Sequence, residues 1–173
     1  YLTNQSDGVV EYLEREEGIL FIPRHGRAPN VFGPSHTQYA ANLIAAKMLG
    51  ATVIIATSAV GSLTERIGVR SLVLPNDYVD ESGRNDNLYG VGFVVHANPR
   101  PAFSEELRSI LQKAAEGIAF GGVHNTATYV TIPGDRFGTT AEGKKRRQYA
   151  DVVGMTVCPE ASISMQHGLH YAV

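Results

Sequence analysis

Two short apolar runs with a helical pattern between them constrain this chain most. Ile19-Leu20-Phe21-Ile22 reads as a short buried strand, and Val53-Ile54-Ile55-Ala56-Thr57 is a β-branched run of the kind covered on both faces. Between them Tyr39, Ala40, Leu43, Ile44, Ala46 and Met48 recur at helical spacing, with Ser35 placed to cap the start and Gly50 at the end. Strand, helix and strand at this spacing make one βαβ unit of a parallel sheet. The expected fold class is α/β: a mixed, mostly parallel sheet flanked by helices, in a single domain over residues 1–173.

Further strands are expected at residues 9–13, 71–75, 127–132, 152–155 and 169–173. Residues 14–18 read as a hairpin turn. Residues 26–35 and 77–93 read as loops from their Gly, Asn, Asp and Pro content, the second of them mobile. Ser104 caps a helix with Leu107, Ile110, Leu111 and Ala114 as its apolar face and Glu105 and Glu106 at its positive end. Thr139-x-x-Glu142 is a capping box opening a helix that carries Lys144, Lys145, Arg146 and Arg147. Cys158-Pro159-Glu160 leads into a short helix that Gly168 ends. The chain opens on Tyr1 and closes on a strand that stops abruptly, so it reads as cut at both ends.

Composition excludes several classes. A content of 43% hydrophobic and 18% charged residues is that of a globular protein and not of a disordered one. The net charge of -2 gives no electrostatic footprint for nucleic acid or an anionic membrane, and the four basic residues of one helix read as a solvated face. No apolar stretch is long enough to cross a bilayer and no leader opens the chain, so a cytoplasmic location is expected. A single cysteine, Cys158, excludes an internal disulfide and a multi-cysteine metal site; with no base evident beside it, it reads as a packed thiol. His167 and His170 have H-x-x-H spacing, but Gly168 ends the helix between them, so no metal site is expected.

The strand ends carry the chemistry. Pro23 stops the first strand, and Arg24, His25 and Gly26 follow where a loop begins. An Arg there offers a planar fork of donors and the His a further one, a set that suits an anion such as phosphate; the alternative is an Arg24 paired with a surface carboxylate and a His25 that fills a turn. The second strand ends in Ser58-Ala59-Val60-Gly61-Ser62-Leu63, a hydroxyl and small-residue turn that can approach phosphate closely or serve simply as a β-turn. In a parallel arrangement both loops lie on one sheet edge, where open α/β sheets bind ligands.

Together with Gly154-Met155-Thr156-Val157-Cys158-Pro159-Glu160, these blocks resemble the trimeric class of purine nucleoside phosphorylases, most closely the 5'-methylthioadenosine phosphorylases. "RHG", "GSL", "GDRF...AE" and "DVVGMTVCPE" stand in that family's order over nearly the whole chain. The resemblance implies a nucleoside phosphorylase-like fold with phosphate held by Arg24, His25, Ser58, the backbone of Ala59 and Thr156. It puts Met155 against the ribose, Phe137 at the border of the base, and His96 in the 5' end of a neighbouring subunit's site. That last role implies a homotrimer, or a dimer of trimers, with a purine nucleoside and phosphate as its ligands.

The implied reaction is reversible phosphorolysis of 5'-methylthioadenosine to adenine and 5-methylthioribose 1-phosphate, in purine and methionine salvage. Phosphate is the co-substrate and the nucleophile, so no cofactor, metal or covalent catalytic residue is assigned. Gly138 stands where the 6-oxopurine members carry a Glu, and Pro133 and Asp135 replace the usual Glu and Pro. The family's N-terminal Gly-rich phosphate loop and C-terminal acidic segment have no counterpart in this sequence. A methylthioinosine or general purine nucleoside phosphorylase stays open, as does a non-catalytic nucleoside- or phosphate-binding domain. Arg24→Ala is expected to abolish phosphate-dependent turnover with the fold intact.

Overall fold

The computed structural model describes residues 2–3, 9–10, 13–16, 18–26, 32–89, 92–117 and 121–173. In chain order, β1 (Leu2–Thr3) pairs antiparallel with β2 (Val9–Val10), and β3 (Leu13–Glu16) with β4 (Ile19–Phe21). Helix α1 (Tyr39–Met48) leads to β5 (Val53–Ile55), β6 (Gly61–Ser62), β7 (Leu72–Val73) and β8 (Asp77–Asp80). After α2 (Glu105–Ala115) come β9 (Val123–His124), β10 (Thr128–Thr131), α3 (Thr140–Arg146), β11 (Val152–Gly154), α4 (Glu160–Gln166) and β12 (His170–Ala172).

The core is built on a four-stranded sheet ordered β6–β11–β10–β8, parallel except for β6. Alternation along β10 sends Tyr129 to one face and Val130 to the other, and both are buried because both faces are covered. On the Tyr129 face lie Val157, Cys158, Ala161 and Tyr171 with Ile67 and Phe103. Val130 packs with Leu63 and Ala150 on the opposite side. Thr131 is fully buried, and its hydroxyl accepts the Cys158 N–H at 3.2 Å, which removes the cost of an unpaired polar group there. Burial pushes the Cys158 thiol up to about 12, as befits a packed group and not a nucleophile.

The βαβ expectation is corrected in its adjacency. β4 and β5 do not pair with each other; β4 joins β3 and β5 joins β12 in a parallel pair. Neither run is covered on both faces: Ile19 and Phe21 are 53% and 51% exposed, and Val53 and Ile55 are 41% and 57% exposed. A groove of about 1730 Å³ takes Leu20 and Phe21 of the first run and Val53, Ile54 and Ile55 of the second into its walls. An apolar run reports that side chains avoid water, but not which strand lies beside it.

Other boundaries also move. Residues 77–80 are a core strand and not part of a loop; Asp77 and Asp80 misled the reading because their carboxylates serve the strand ends, accepting the N–H groups of Tyr78 and Ser82. Helix α1 begins at Tyr39 behind an N-cap, Gln38, that makes no side-chain cap bond, and Ser35 bonds Asp135 instead. Ser104 does cap α2, accepting the Leu107 N–H at 3.4 Å, but Ile110 is 54% exposed and Ala115 is the one buried residue of that helix. The hairpin before β4 forms with Glu14 and Glu16 inside β3, so its turn is tighter than residues 14–18; the middle of the 9–13 strand and of the 26–35 loop lies outside the described residues. The α3 capping box is present, but of its four basic residues Arg146 turns inward to Glu81 at 2.8 Å. Among the described residues no helix is long and apolar enough to cross a membrane.

Candidate active site

The carboxyl ends of β4, β5 and β11 open into the same groove, and with them come Arg24, Ser58 and the Met155-Thr156 pair. One Arg24 N–H donates to the Thr57 carbonyl and ties the first two strand ends together. His25, Ala59, Phe137 and Gly138 also line the groove. His96 does not; it is exposed, in a run with Phe93, Val94 and Val95, which are exposed too.

Arg24 is anchored from behind. Its Nη1 donates to Glu160 Oε1 at 2.7 Å, and Tyr171 donates its hydroxyl to Oε2 of the same carboxylate at 2.9 Å. Burial works to lower the Arg24 pKa, but the Glu160 charge and hydrogen bond outweigh it and hold the guanidinium above its ordinary value. Burial likewise pushes the Tyr171 phenol well up. The carboxylate on Arg24 is therefore a buried one from α4, not the surface partner weighed from sequence. Neither Glu160 nor Tyr171 was visible as a site residue. In sequence Glu160 is an acidic group in a first helical turn, and the fold alone brings it across 136 positions to Arg24.

His25 places Nδ1 at 2.9 Å from the Phe32 carbonyl. A carbonyl only accepts, so Nδ1 carries the proton, and the ring donates to an anion through Nε2 only when doubly protonated.

Ser58, Thr156 and a third hydroxyl form one cluster. Thr156 Oγ1 donates to Ser58 Oγ at 3.2 Å, and Ser58 Oγ lies 2.9 Å from the hydroxyl of Tyr129, which rises from the buried β10. Burial raises the Tyr129 phenol pKa against hydrogen bonds from Ser58 and Thr156. Gly154 leaves room for this hydroxyl: a Cβ built there would overlap the Tyr129 oxygen. Reading Tyr129 as a core strand residue hid its polar end.

The segment around Met155 depends on another residue hidden in an apparent loop. Arg84 donates from Nη1 to the carbonyls of Met155 (2.6 Å) and Cys158 (2.7 Å) and from Nη2 to that of Pro133 (2.5 Å). Its guanidinium lies 4.9 Å from the centre of the Tyr39 ring. Asp135 accepts the Ser35 hydroxyl at 2.8 Å and the Ser35 N–H at 3.3 Å, and these bonds hold its carboxyl below the usual range. Next to it, Arg136 grips Glu142 through two N–H groups at 2.8 and 2.9 Å and brings that carboxyl down to about 2. Phe137 projects from this turn, 87% exposed.

Compared with known proteins, the chain matches the Phosphorylase superfamily over residues 9–173. It belongs to that superfamily. Among superfamily relatives, S-methyl-5'-thioadenosine phosphorylase of Aedes aegypti is 38% identical over 178 residues, covering 98% of this chain and 62% of that protein. The Thermococcus kodakarensis protein of the same name is 36% identical over 154 residues, covering 88% of this chain and 59% of its own length. The structure of methylthioadenosine phosphorylase from Schistosoma mansoni in complex with adenine superposes with a TM-score of 0.84 at 34% identity, covering 88% of this chain and 63% of that one. The chain thus spans about three fifths of the length of the curated superfamily relatives it matches.

Proposed function

We propose that the protein catalyses the reversible phosphorolysis of 5'-methylthioadenosine to adenine and 5-methylthioribose 1-phosphate. The observation that carries this reading is the meeting of Arg24, Ser58 and Thr156 with Met155 at one end of the groove, from three strand ends far apart in sequence. A fork of cationic donors and two hydroxyls suit a phosphate, and the thioether and backbone of Met155 offer a surface for the ribose. As the purine leaves, positive charge grows at C1', as in glycoside hydrolysis. Holding phosphate beneath that carbon supplies both the nucleophile and the compensating charge, so the protein's work is positioning and electrostatics. His25 and the Ala59 backbone complete the phosphate side; Phe137 and Gly138 border the base. The relatives' names support methylthioadenosine over other nucleosides, and Gly138, lacking the carboxylate of 6-oxopurine readers, agrees with them. No metal or organic cofactor is invoked, and a cytoplasmic setting suits this metabolic role.

The test is purine release from methylthioadenosine, adenosine and inosine, with and without phosphate, on the protein at native length. Adenine released from methylthioadenosine only in the presence of phosphate is the expected result. Preference for inosine would overturn the base assignment, and no phosphate-dependent release would leave a nucleoside-binding domain as the better reading.

His96 is assigned to a neighbouring subunit's site in a homotrimer. Its place outside the residues that line its own groove supports this, as does the exposed apolar run beside it, with Phe93 59% and Val94 74% exposed. Specific activity is then expected to fall on dilution to monomer. Turnover per chain that stays constant across the dissociation range would remove His96 from the site.

A further inference from the structure

We infer that Tyr129 is a positioning residue for phosphate: its buried hydroxyl fixes the direction of the Ser58 O–H, turning that proton outward to the anion. The inference rests on the phosphorolysis reading for the identity of the ligand, and on hydrogen-bond accounting for the rest.

A phenol has one proton and an oxygen that accepts. A buried phenol proton must find an acceptor, and among the described residues one group stands within hydrogen-bond distance of the Tyr129 oxygen. Ser58 Oγ, at 2.9 Å, is that acceptor. Tyr129 is 1% exposed, so water does not offer an alternative, and a buried hydroxyl without a partner is costly. With its oxygen occupied from below, Ser58 must send its own proton elsewhere. Among the described residues the one remaining acceptor in reach is the Ala59 carbonyl at 3.5 Å, the outer limit of a hydrogen bond. The Ser58 proton is therefore left for the groove. Thr156, which donates to Ser58 at 3.2 Å, can turn its hydroxyl to an incoming anion without stranding Ser58, because Tyr129 remains bonded to it. The absence of a side chain at Gly154 keeps the phenol in this place.

The experiment is Tyr129→Phe, Ser58→Ala and their combination, read by calorimetric binding of inorganic phosphate and by separate KM values for phosphate and methylthioadenosine. Tyr129→Phe is expected to weaken phosphate about 10-fold and leave the nucleoside KM within about twofold. In the combined variant the two losses should not multiply, since one works through the other. Wild-type phosphate affinity in Tyr129→Phe, or losses that multiply, would overturn the inference.

Should Tyr129→Phe fail to fold, a fluorotyrosine at position 129 keeps the shape and ionises at a lower pH. Its phosphate affinity should then fall at mildly alkaline pH where the parent's does not; identical profiles would overturn the inference. The binding arm separates the two ideas. A parent that binds phosphate without turning over would sink the phosphorolysis reading and still test Tyr129, whereas one that binds no phosphate removes both.

Discussion

Arg24→Ala is expected to cut phosphate-dependent turnover by roughly 10²–10³-fold or more, the usual cost of removing a principal transition-state donor. It is also expected to destabilise the fold by about 3–5 kcal/mol, the scale for stranding one member of a buried ion pair. The second effect revises the expectation of an intact fold. That expectation treated Arg24 as a cation free for ligand, but the arginine is the charged partner of Glu160, which is 6% exposed and among the described residues otherwise has the Tyr171 hydroxyl alone. Adding Glu160→Gln to Arg24→Ala should recover much of the stability without recovering turnover. Denaturant melts and phosphate-dependent rates on both variants check this. An Arg24→Ala protein as stable as the parent would show the pair to be energetically idle, and full activity would take Arg24 out of the site.

Glu160→Gln alone should move stability and phosphate affinity in opposite directions. The amide keeps the shape of the carboxylate and its place near Arg24 and Tyr171, but removes the charge that neutralises Arg24. With the arginine only 14% exposed in its side chain, the unliganded protein loses about 3 kcal/mol or more. An incoming phosphate then becomes the only counter-ion, so its affinity should rise by about 10-fold, equivalent to about 1.4 kcal/mol. Phosphate should accordingly raise the melting temperature of the variant more than that of the parent. Weaker phosphate binding would mean instead that the carboxylate's task is to aim the guanidinium, and that its neutralising charge is secondary.

What the sequence displayed and what it hid divide along a physical line. Features set by near neighbours were legible: the Ser104 and Thr139 caps, the stop at Pro23, the helix end at Gly50, where φ is +90°, and the β-branched run of β5. So were residues at strand ends, and the structure does bring Arg24, Ser58 and Thr156 to one groove. Hidden were the groups whose role depends on distant partners. Glu160 stood only at the entry to a short helix, Tyr129 looked like strand filling, and Arg84 like part of a mobile loop. Each acquires its function from atoms 49 to 136 positions away. The strand at Asp77–Asp80 was missed for a related reason: its acidic ends satisfy local backbone donors, and composition cannot distinguish that from a turn.

The Arg84 fork has a consequence for the energetics of ligand entry. A single planar group holds the Pro133 carbonyl, just past β10, together with the Met155 and Cys158 carbonyls, past β11, and Met155 lines the groove. The segments that follow β10 and β11 are thus made one body when the chain folds, and the entropy of ordering them is lost then. A ligand entering a groove already set in this way avoids an ordering cost of about 0.5–1.5 kcal/mol for each side chain it would otherwise immobilise. In this protein preorganisation rests on a residue that faces three backbone oxygens and an aromatic ring.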